Sequence, residues 1–407
     1  MKRLVVGVDW GHEHIQFVAV DDSGKELWKQ RSAATGKGLL DAIRRVREVA
    51  SKADTEEIAV VIEQRGGRLV DRFLESGFEV WFCRPGQVDQ ARALRFSSKA
   101  KDDLRDARVM AWMLRTMPEA LVSVEPSRPT MVELQRLTRV RSSLVKERSA
   151  TLNRVTGLLR EVFPEMLVLS KPETQWFRRL WRLVRTPEGA RAADREAIAE
   201  ILRQHRVKKH DTAAVEKILR AAESYDRYGD WTLEAELAMD RLDLEDGQIQ
   251  RLEKRIDELM AALNEAERQH REGPTDAEIV RSLPGVGATL TAVMVAERLP
   301  ELVRKDRELA RALSGVAPVL ATTGRRQTAG QGSVVMRRAC NGRLRDAVHL
   351  MVEKGLAKDE WLAGRYAVLR ARNQKHGRAC RQLADGLLKR LTAMLRDRTL
   401  YRSPATG

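Results

Sequence analysis

The run Leu4-Val5-Val6-Gly7-Val8-Asp9-Trp10-Gly11 constrains this chain more than any other stretch. Apolar, mostly β-branched residues end in a carboxylate and a glycine, the pattern of a buried strand that delivers Asp9 to its C-terminal edge with space beside it. Residues 15–27 continue with a second strand, a turn at Gly24 and the start of a third strand. Leu39, Leu40, Ile43, Val46 and Val49 then recur at helical spacing, predicting a helix over 36–50. Ile58-Ala59-Val60-Val61-Ile62-Glu63 repeats the opening device, with Gly66 and Gly67 close behind. A helix over 69–75 and a strand over 78–83 carry the alternation on. These elements make an α/β sheet with parallel members, in which ligands gather at the carboxyl ends of the strands, where Asp9 and Glu63 fall.

The third acidic element is Lys101-Asp102-Asp103-Leu104-Arg105-Asp106-Ala107, opening a helix that runs to about residue 114. Asp103 and Asp106 are three apart and share one face of its first turn, with Asp102 as a spare. Each acid taken singly has an ordinary reading, as a strand-end cap or as negative charge favoured at a helix N-terminus. The set is less ordinary: Asp9, Glu63, Asp103 and Asp106 are four oxygen donors suited to a pair of Mg2+ or Mn2+ ions. A metal pair suits in-line phosphoryl transfer. RNase H-like nucleases and actin-type ATPases both begin with a carboxylate on the first strand of a meander. The ATPases need further glycine-rich phosphate loops after later strands, and the sequence has none.

The formal charge of +16 points to polyanionic partners, and it is concentrated. Residues 1–110 carry 20 basic and 18 acidic side chains, 111–274 carry 29 and 28, and 275–407 carry 25 and 12. The excess therefore lies in the last third, which argues for a nucleic-acid surface there over general solubility. Arginines interleaved with Asp, Gly and Asn do not make the clean amphipathic stripe of a membrane-surface helix. Cys83, Cys340 and Cys380 match no zinc spacing and are expected as reduced thiols in the cytoplasm. No stretch is of membrane-spanning length.

Between these ends the chain reads as helical. Residues 129–163 form a long charged helix with Leu134, Leu137, Leu144 and Leu158 near one stripe. Ile249, Leu252, Ile256, Leu259 and Leu263 repeat by three and four in a second. This is a heptad seam, expected as an antiparallel hairpin or a dimerising coiled coil. Residues 171–231 hold Trp176, Phe177, Trp181, Tyr225, Tyr228 and Trp231 among arginines, read as an inserted helical segment packed on the hairpin with a further role in touching nucleic acid. After Gly273-Pro274, Leu283-Pro284-Gly285-Val286-Gly287 has the form of a helix-hairpin-helix turn, whose backbone N–H groups at Gly285 and Gly287 would meet a phosphate. A polar loop over 321–333 follows, containing Thr323, Arg325, Arg326 and Ser333. Arg337, Arg338 and Arg343 surround the next helix entrance. Hydroxyls and guanidinium groups on flexible backbone suit phosphate handling.

Taken together, the Asp-bearing first strand, the strand ending in Glu, the Lys-x-Asp-x-x-Asp-Ala helix, the long helical pair, Leu-Pro-Gly-Val-Gly, Gly-x-Ala-Pro and Arg-Arg-Ala-Cys-Asn resemble the IS-one-ten transposases, which include the Piv-type DNA invertases. The similarity covers 4–115 and 275–355 well, the helical pair loosely, and 170–230 and the tail beyond 370 hardly. It implies an RNase H-like (RuvC-like) catalytic domain of DEDD type over 1–120, a helical hairpin or coiled coil over 121–272, and a mostly α C-terminal transposase domain with a helix-hairpin-helix over 273–407. The four acids map to Asp9, Glu63, Asp103 and Asp106, as both metal ligands and catalytic residues. The resemblance also implies donor and target double-stranded DNA, a structured non-coding bridge RNA as guide, and assembly as a homodimer or homotetramer. In the family a serine followed by glycine and a basic residue attacks the DNA phosphate. The matching residues here are Thr323, Gly324 and Arg325, so the chain departs from the family pattern at the nucleophile. Three expectations follow: Thr323 attacks, Ser333 replaces it, or strand transfer is lost and the chain only binds. A hydrolytic junction resolvase using the same acids with water is the rival enzyme.

Overall fold

The computed structural model describes residues 3–55, 57–64, 66–95, 102–126, 128–224, 229–321, 333–335, 337 and 339–404. The chain divides into two compact units, residues 1–128 and 129–407.

The first unit is built on a six-stranded sheet. Strands β1 (Arg3–Trp10), β2 (His14–Val20) and β3 (Glu26–Ala33) form an antiparallel meander. Helix α1 (Gly36–Lys52) crosses to β4 (Glu57–Ile62), which pairs parallel with β1; α2 (Arg68–Glu75) leads to β5 (Glu79–Phe82), parallel with β4. Helices α3 (Pro85–Arg95) and α4 (Asp103–Thr116) follow, then a 3-10 turn over Pro118–Ala120 and β6 (Val122–Val124), antiparallel to β5. The spatial order is β3-β2-β1-β4-β5-β6.

Strand periodicity assigns the two faces. Leu4, Val6 and Val8 of β1 pack with Leu39, Ile43 and Val46 of α1 and Leu69, Val70 and Phe73 of α2. Val5, with Ala59 and Val61 of β4, packs with Val88 and Ala91 of α3 and Ala107, Met110 and Ala111 of α4. Asp9 continues the Val5-Gly7 series, and Glu63 the Ala59-Val61 series. Both acids therefore belong to the face that α4 covers.

Among the described residues the second unit is helical apart from one small ribbon. Its frame is α5 (Pro129–Val162), followed by α6 (Pro164–Leu169), α7 (Gln175–Val184), α8 (Pro187–Ala192), α9 (Arg195–Gln204), α10 (Thr212–Arg220) and the long α11 (Thr232–Arg268). Helices α5 and α11 lie antiparallel, with Glu133 paired to Arg255, Arg141 to Glu253 and Arg148 to Asp246. Their contact differs from a continuous leucine seam. Leu134, Thr138, Thr151, Val155, Leu159 and Val162 are the buried positions of α5, whereas Leu137, Leu144 and Leu158 are only half-buried. The middle of the contact is polar, with Thr151 donating to the buried Glu245.

Phe177 and Trp181 are fully enclosed in the core that α5–α11 build, with Trp176 and Trp231 packed against it. Phe177 and Trp181 therefore hold the inserted segment together as core residues, while Trp176 and Trp231 remain partly exposed at its edge. Tyr225 and Tyr228 lie outside the described residues. Arg178, 1% exposed, pins α7 to α11 through Asp243 at 2.8 Å and Asp246 at 2.7 Å. Removing one partner of such a buried pair costs about 3–5 kcal/mol.

Helices α12 (Asp276–Arg281), α13 (Ala288–Ala296), α14 (Leu299–Lys305) and α15 (Arg307–Leu313) come next, then the two-stranded ribbon β7 (Val319–Ala321) and β8 (Ser333–Val335), and α16 (Gly342–Gly355), α17 (Glu360–Ala371) and α18 (His376–Asp397). Their core gathers Ile279, Met294, Leu299, Leu344, Val348, Met351, Leu387 and Leu391. No helix among the described residues is long and apolar enough to cross a membrane.

Candidate acidic centre and nucleic-acid interface

Gly7 sets how closely α4 can approach the sheet. A Cβ there would stand 1.8 Å from the carbonyl oxygen of Ala107 and 2.9 Å from the amide nitrogen of Ala111. Only glycine allows the backbone of α4 to rest on β1. The helix runs back along that strand. Near its C-terminal end, Arg115 donates to the carbonyl oxygen of Asp22 in the β2–β3 turn at 2.8 Å, and the N–H of Arg3 at the start of β1 donates to the Asp22 carboxylate at 3.1 Å. Arg108 and Glu26 add a further tie at 2.8 Å, and this contact holds the Glu26 carboxyl below its ordinary range. The first turn of α4, with Asp103 and Asp106, is thereby directed toward the end of β1 where Asp9 stands.

In the parallel register Gly7 lies opposite Val61 and Val8 opposite Ile62, so Asp9 and Glu63 follow one step further along neighbouring strands. Strands in a sheet lie about 4.8 Å apart. The thiol of Cys83 senses Glu63: burial first, and then the Glu63 charge, push it up to about 12. Asp102 caps α4, accepting from the N–H of Arg105 at 2.8 Å, which leaves Asp103 and Asp106 as the acids of the first turn.

Asp103 is exposed, whereas Asp106 is buried and engaged. Arg92 of α3 donates to both of its oxygens, Nε to Oδ1 at 2.6 Å and a terminal nitrogen to Oδ2 at 3.0 Å. Among the described residues, no three of these carboxylates present oxygens within 4.8 Å of one another. The physical reason is charge: neighbouring carboxylates repel, and Arg92 supplies Asp106 with its counter-charge. The donor chemistry nevertheless fits a hard divalent cation, since Asp9, Glu63 and Asp103 offer oxygen only. Sequence reasoning missed Arg92 because the pair forms between two helices and leaves no local pattern.

In the second unit, α13 begins at Gly287 without a side-chain cap, and Gly287, Ala288 and Thr289 are exposed. Gly285 has φ +80°, and a Cβ there would meet the backbone of Met351, Lys354 and Gly355 at 2.4–2.7 Å. Packing against α16 therefore accounts for Gly285, while Gly287 lies at an exposed helix start.

Arg343 differs from the sequence expectation of a phosphate-binding cation. Its guanidinium is committed to the buried Glu297 at 2.9 Å and to the Ser142 hydroxyl at 3.2 Å, and Asn341 donates to Glu297 at 2.7 Å. A buried carboxylate requires such a partner. Arg337 donates to the carbonyl of Ala339 at 3.3 Å. Thr323, Arg325, Arg326 and Arg338 lie outside the described residues. Ser333 is described in its backbone, paired with Ala321 across the β7–β8 ribbon, so the segment containing Thr323 is the connection between those two strands.

The sequence is similar to known proteins. The family model for DEDD transposases of the IS110 type, described as a transposase, matches residues 6–164, which include all four acids. A second, described as the transposase IS116/IS110/IS902 family, matches residues 277–367. The y4uE protein of Sinorhizobium fredii, whose name designates it a transposase, is 31% identical over 227 residues, 56% of this chain and 63% of that protein. The chain thus spans less than two thirds of that relative. The 42 kDa protein of insertion element IS900 from Mycobacterium paratuberculosis is 27% identical over 98% of this chain and 97% of its own length. The 44.8 kDa protein of IS116 from Streptomyces clavuligerus is 27% identical over 98% and 96%. An acid-bearing α/β unit joined to a helical unit with these two matches defines a DNA transposase class of enzyme. The chain belongs to the IS110 family of insertion-sequence transposases.

Proposed function

We propose that this chain cuts and exchanges DNA strands to move an insertion sequence, with an RNase H-like (RuvC-like) first unit as its metal-dependent centre and a structured non-coding RNA as its guide. The observation that carries this reading is the seating of α4 on Gly7, which directs the first-turn acids Asp103 and Asp106 toward Asp9 and Glu63 on one face of the sheet. Asp9, Glu63 and Asp103 would hold Mg2+ or Mn2+, and Asp106 would join them or position them through Arg92. When bound, the ion supplies Lewis-acid stabilisation of the phosphate.

The chain's own residues divide the remaining work. Thr323 attacks phosphorus through its hydroxyl oxygen. The new O–P bond forms as the P–O3′ bond breaks, and the departing 3′ oxygen takes up a proton. No histidine lies near Thr323 in sequence, so its own proton passes to a nearby carboxylate or to the DNA. The helix start at Gly287 and the arginines Arg325, Arg326, Arg337 and Arg338 would grip phosphates, consistent with the basic excess of 275–407.

The test is adduct formation on element-end DNA, using protein purified with the RNA it retains. Thr323→Ser keeps or raises covalent attachment, since it loses only a methyl, and Thr323→Val abolishes it. An adduct from Thr323→Val mapping to Ser333 would move the nucleophile. Cleaved DNA with no adduct from either protein would instead make the chain a hydrolytic nuclease.

A further inference from the structure

A second group of ligating side chains stands in the helical unit, on residues the transposase reading leaves unused. His349 and Glu353 are one turn apart on α16 and so share a face. His376 opens α18 and returns to the same point. Nε2 of His349 is 3.3 Å from Oε1 of Glu353, and Nε2 of His376 is 3.4 Å from that same oxygen. Among the described residues this is the one set of three His, Cys, Asp or Glu side chains whose ligand atoms all lie within 4.8 Å of one another.

The distances are informative. A charge-assisted N–H···O contact settles at about 2.7–2.9 Å, shorter than either separation. Ligands 2.0–2.1 Å from a tetrahedral zinc ion are separated along the tetrahedron edge by about 3.3–3.4 Å, which matches both. Tyr366 of α17 supplies the outer support such a site needs. Its hydroxyl lies 2.8 Å from Nδ1 of His376, fixing the ring and leaving Nε2 as the ligating atom. The two imidazoles meet at 73°, with centroids 6.1 Å apart, so their nitrogens converge without stacking. The buried Cys380 sulfur lies 3.7 Å from the His376 ring but does not join the group.

We propose that His349, Glu353 and His376 form a binding site for a borderline-soft divalent metal, Zn2+ by ligand type, that clamps α16 to the start of α18. Two imidazoles and one carboxylate suit zinc, whereas Mg2+ takes oxygen ligands, so this site and the acidic centre select different ions. Three protein ligands at a partly exposed position leave the fourth to solvent. The second family match, residues 277–367, includes His349 and Glu353 and stops before His376. The proposal stands independently of the DNA chemistry.

The experiment uses the full chain without a polyhistidine tag, stripped by chelator and held in excess Mg2+ to occupy oxygen sites. It is then titrated with Zn2+ and, separately, with Co2+ as a spectroscopic substitute. One equivalent is taken up, Co2+ gives the intense visible bands of four-coordination, and Zn2+ raises the melting temperature. His349→Gln/His376→Gln loses all three effects, and Tyr366→Phe weakens affinity about 10–100-fold. Glu353→Gln serves as the second variant should the double one fold poorly. Absence of stoichiometric uptake, or uptake unchanged in a folded double or Glu353→Gln variant, or only the weak bands of six-coordinate Co2+, would overturn the proposal.

Discussion

Arg92 shows how a single residue can hold an acidic centre together. Its fork spans both oxygens of Asp106 and also reaches Asp89 at 2.9 Å, inside a region where neither Arg92 nor Asp106 is more than 9% exposed. A carboxylate in that setting needs a cation, whether guanidinium or metal. Arg92→Leu therefore leaves Asp106 buried and unpaired, with an expected loss of about 3–5 kcal/mol in chemical denaturation. Millimolar Mn2+ should restore part of this loss in the variant and help the wild type less, because the ion substitutes for the missing charge. Equal stabilisation of the two proteins by Mn2+ would mean that Asp106 does not face the ion. Arg343 carries the opposite lesson, since an arginine beside a predicted phosphate loop is occupied by the buried Glu297. Charge type was legible in the sequence, but the partner that decides between grip and scaffold was not.

At the scale of elements, the acid site depends on the β1–α4 contact. Gly7→Ala places a methyl against the Ala107 carbonyl and the Ala111 amide, so α4 must lift from the sheet. The expected cost is about 1–3 kcal/mol, with metal affinity falling further than stability alone explains, because Asp103 and Asp106 move with the helix. Calorimetric Mn2+ titration beside a denaturant melt checks this, and a Gly7→Ala chain that binds Mn2+ as tightly as wild type would refute the role given to the contact. Strands β1 and β4 and helix α4 were legible because their signals are local: apolar runs closed by acids, and two acids three apart. Helix α3 was not, since Pro85-Gly86 and a polar surface hide its period. The stripe on α5 was legible only in part, with Leu134 in the core and Leu137, Leu144 and Leu158 half-buried. Its buried face mixes Thr138 and Thr151 with Leu134 and Val155, and leucine spacing after Leu134 drifts to the half-buried edge. Which of the aromatics at 176–181 enter the core was not legible, because composition cannot tell the buried Phe177 and Trp181 from the partly exposed Trp176.

The chain carries two chemistries, an α/β unit of nearly balanced charge that bears the four acids and a strongly basic helical one, each with its own electrostatic support. In the helical unit Asp276 carries two arginines, Arg304 at 2.7 Å and Arg398 at 2.6 Å. Burial pushes its carboxyl up, yet hydrogen bonds and charge from Arg304, with Arg398 adding to them, outweigh this and hold it below 3.8. A depressed carboxyl contributes stability that is complete above its unfolded value and is lost as the pH falls through its folded value. Asp276→Asn should thus melt lower than wild type at pH 7, with the gap closing below about pH 4 as the wild type is protonated. A gap that widened in acid would reverse the sign and exclude the pairing. The histidine-carboxylate group was illegible in sequence because the whole of α17 separates His349 on α16 from His376 at the start of α18. The central claim is that Asp9, Glu63 and the first turn of α4 surround one divalent ion. Fe2+-directed cleavage of the protein's own backbone tests it without requiring DNA or RNA. The account predicts cuts close to residues 9, 63 and 103–106, suppressed by excess Mg2+ and absent in Asp9→Asn/Glu63→Gln. Cuts at those positions that persist in the double variant, or cuts confined to 349–376 in the wild type, would contradict it.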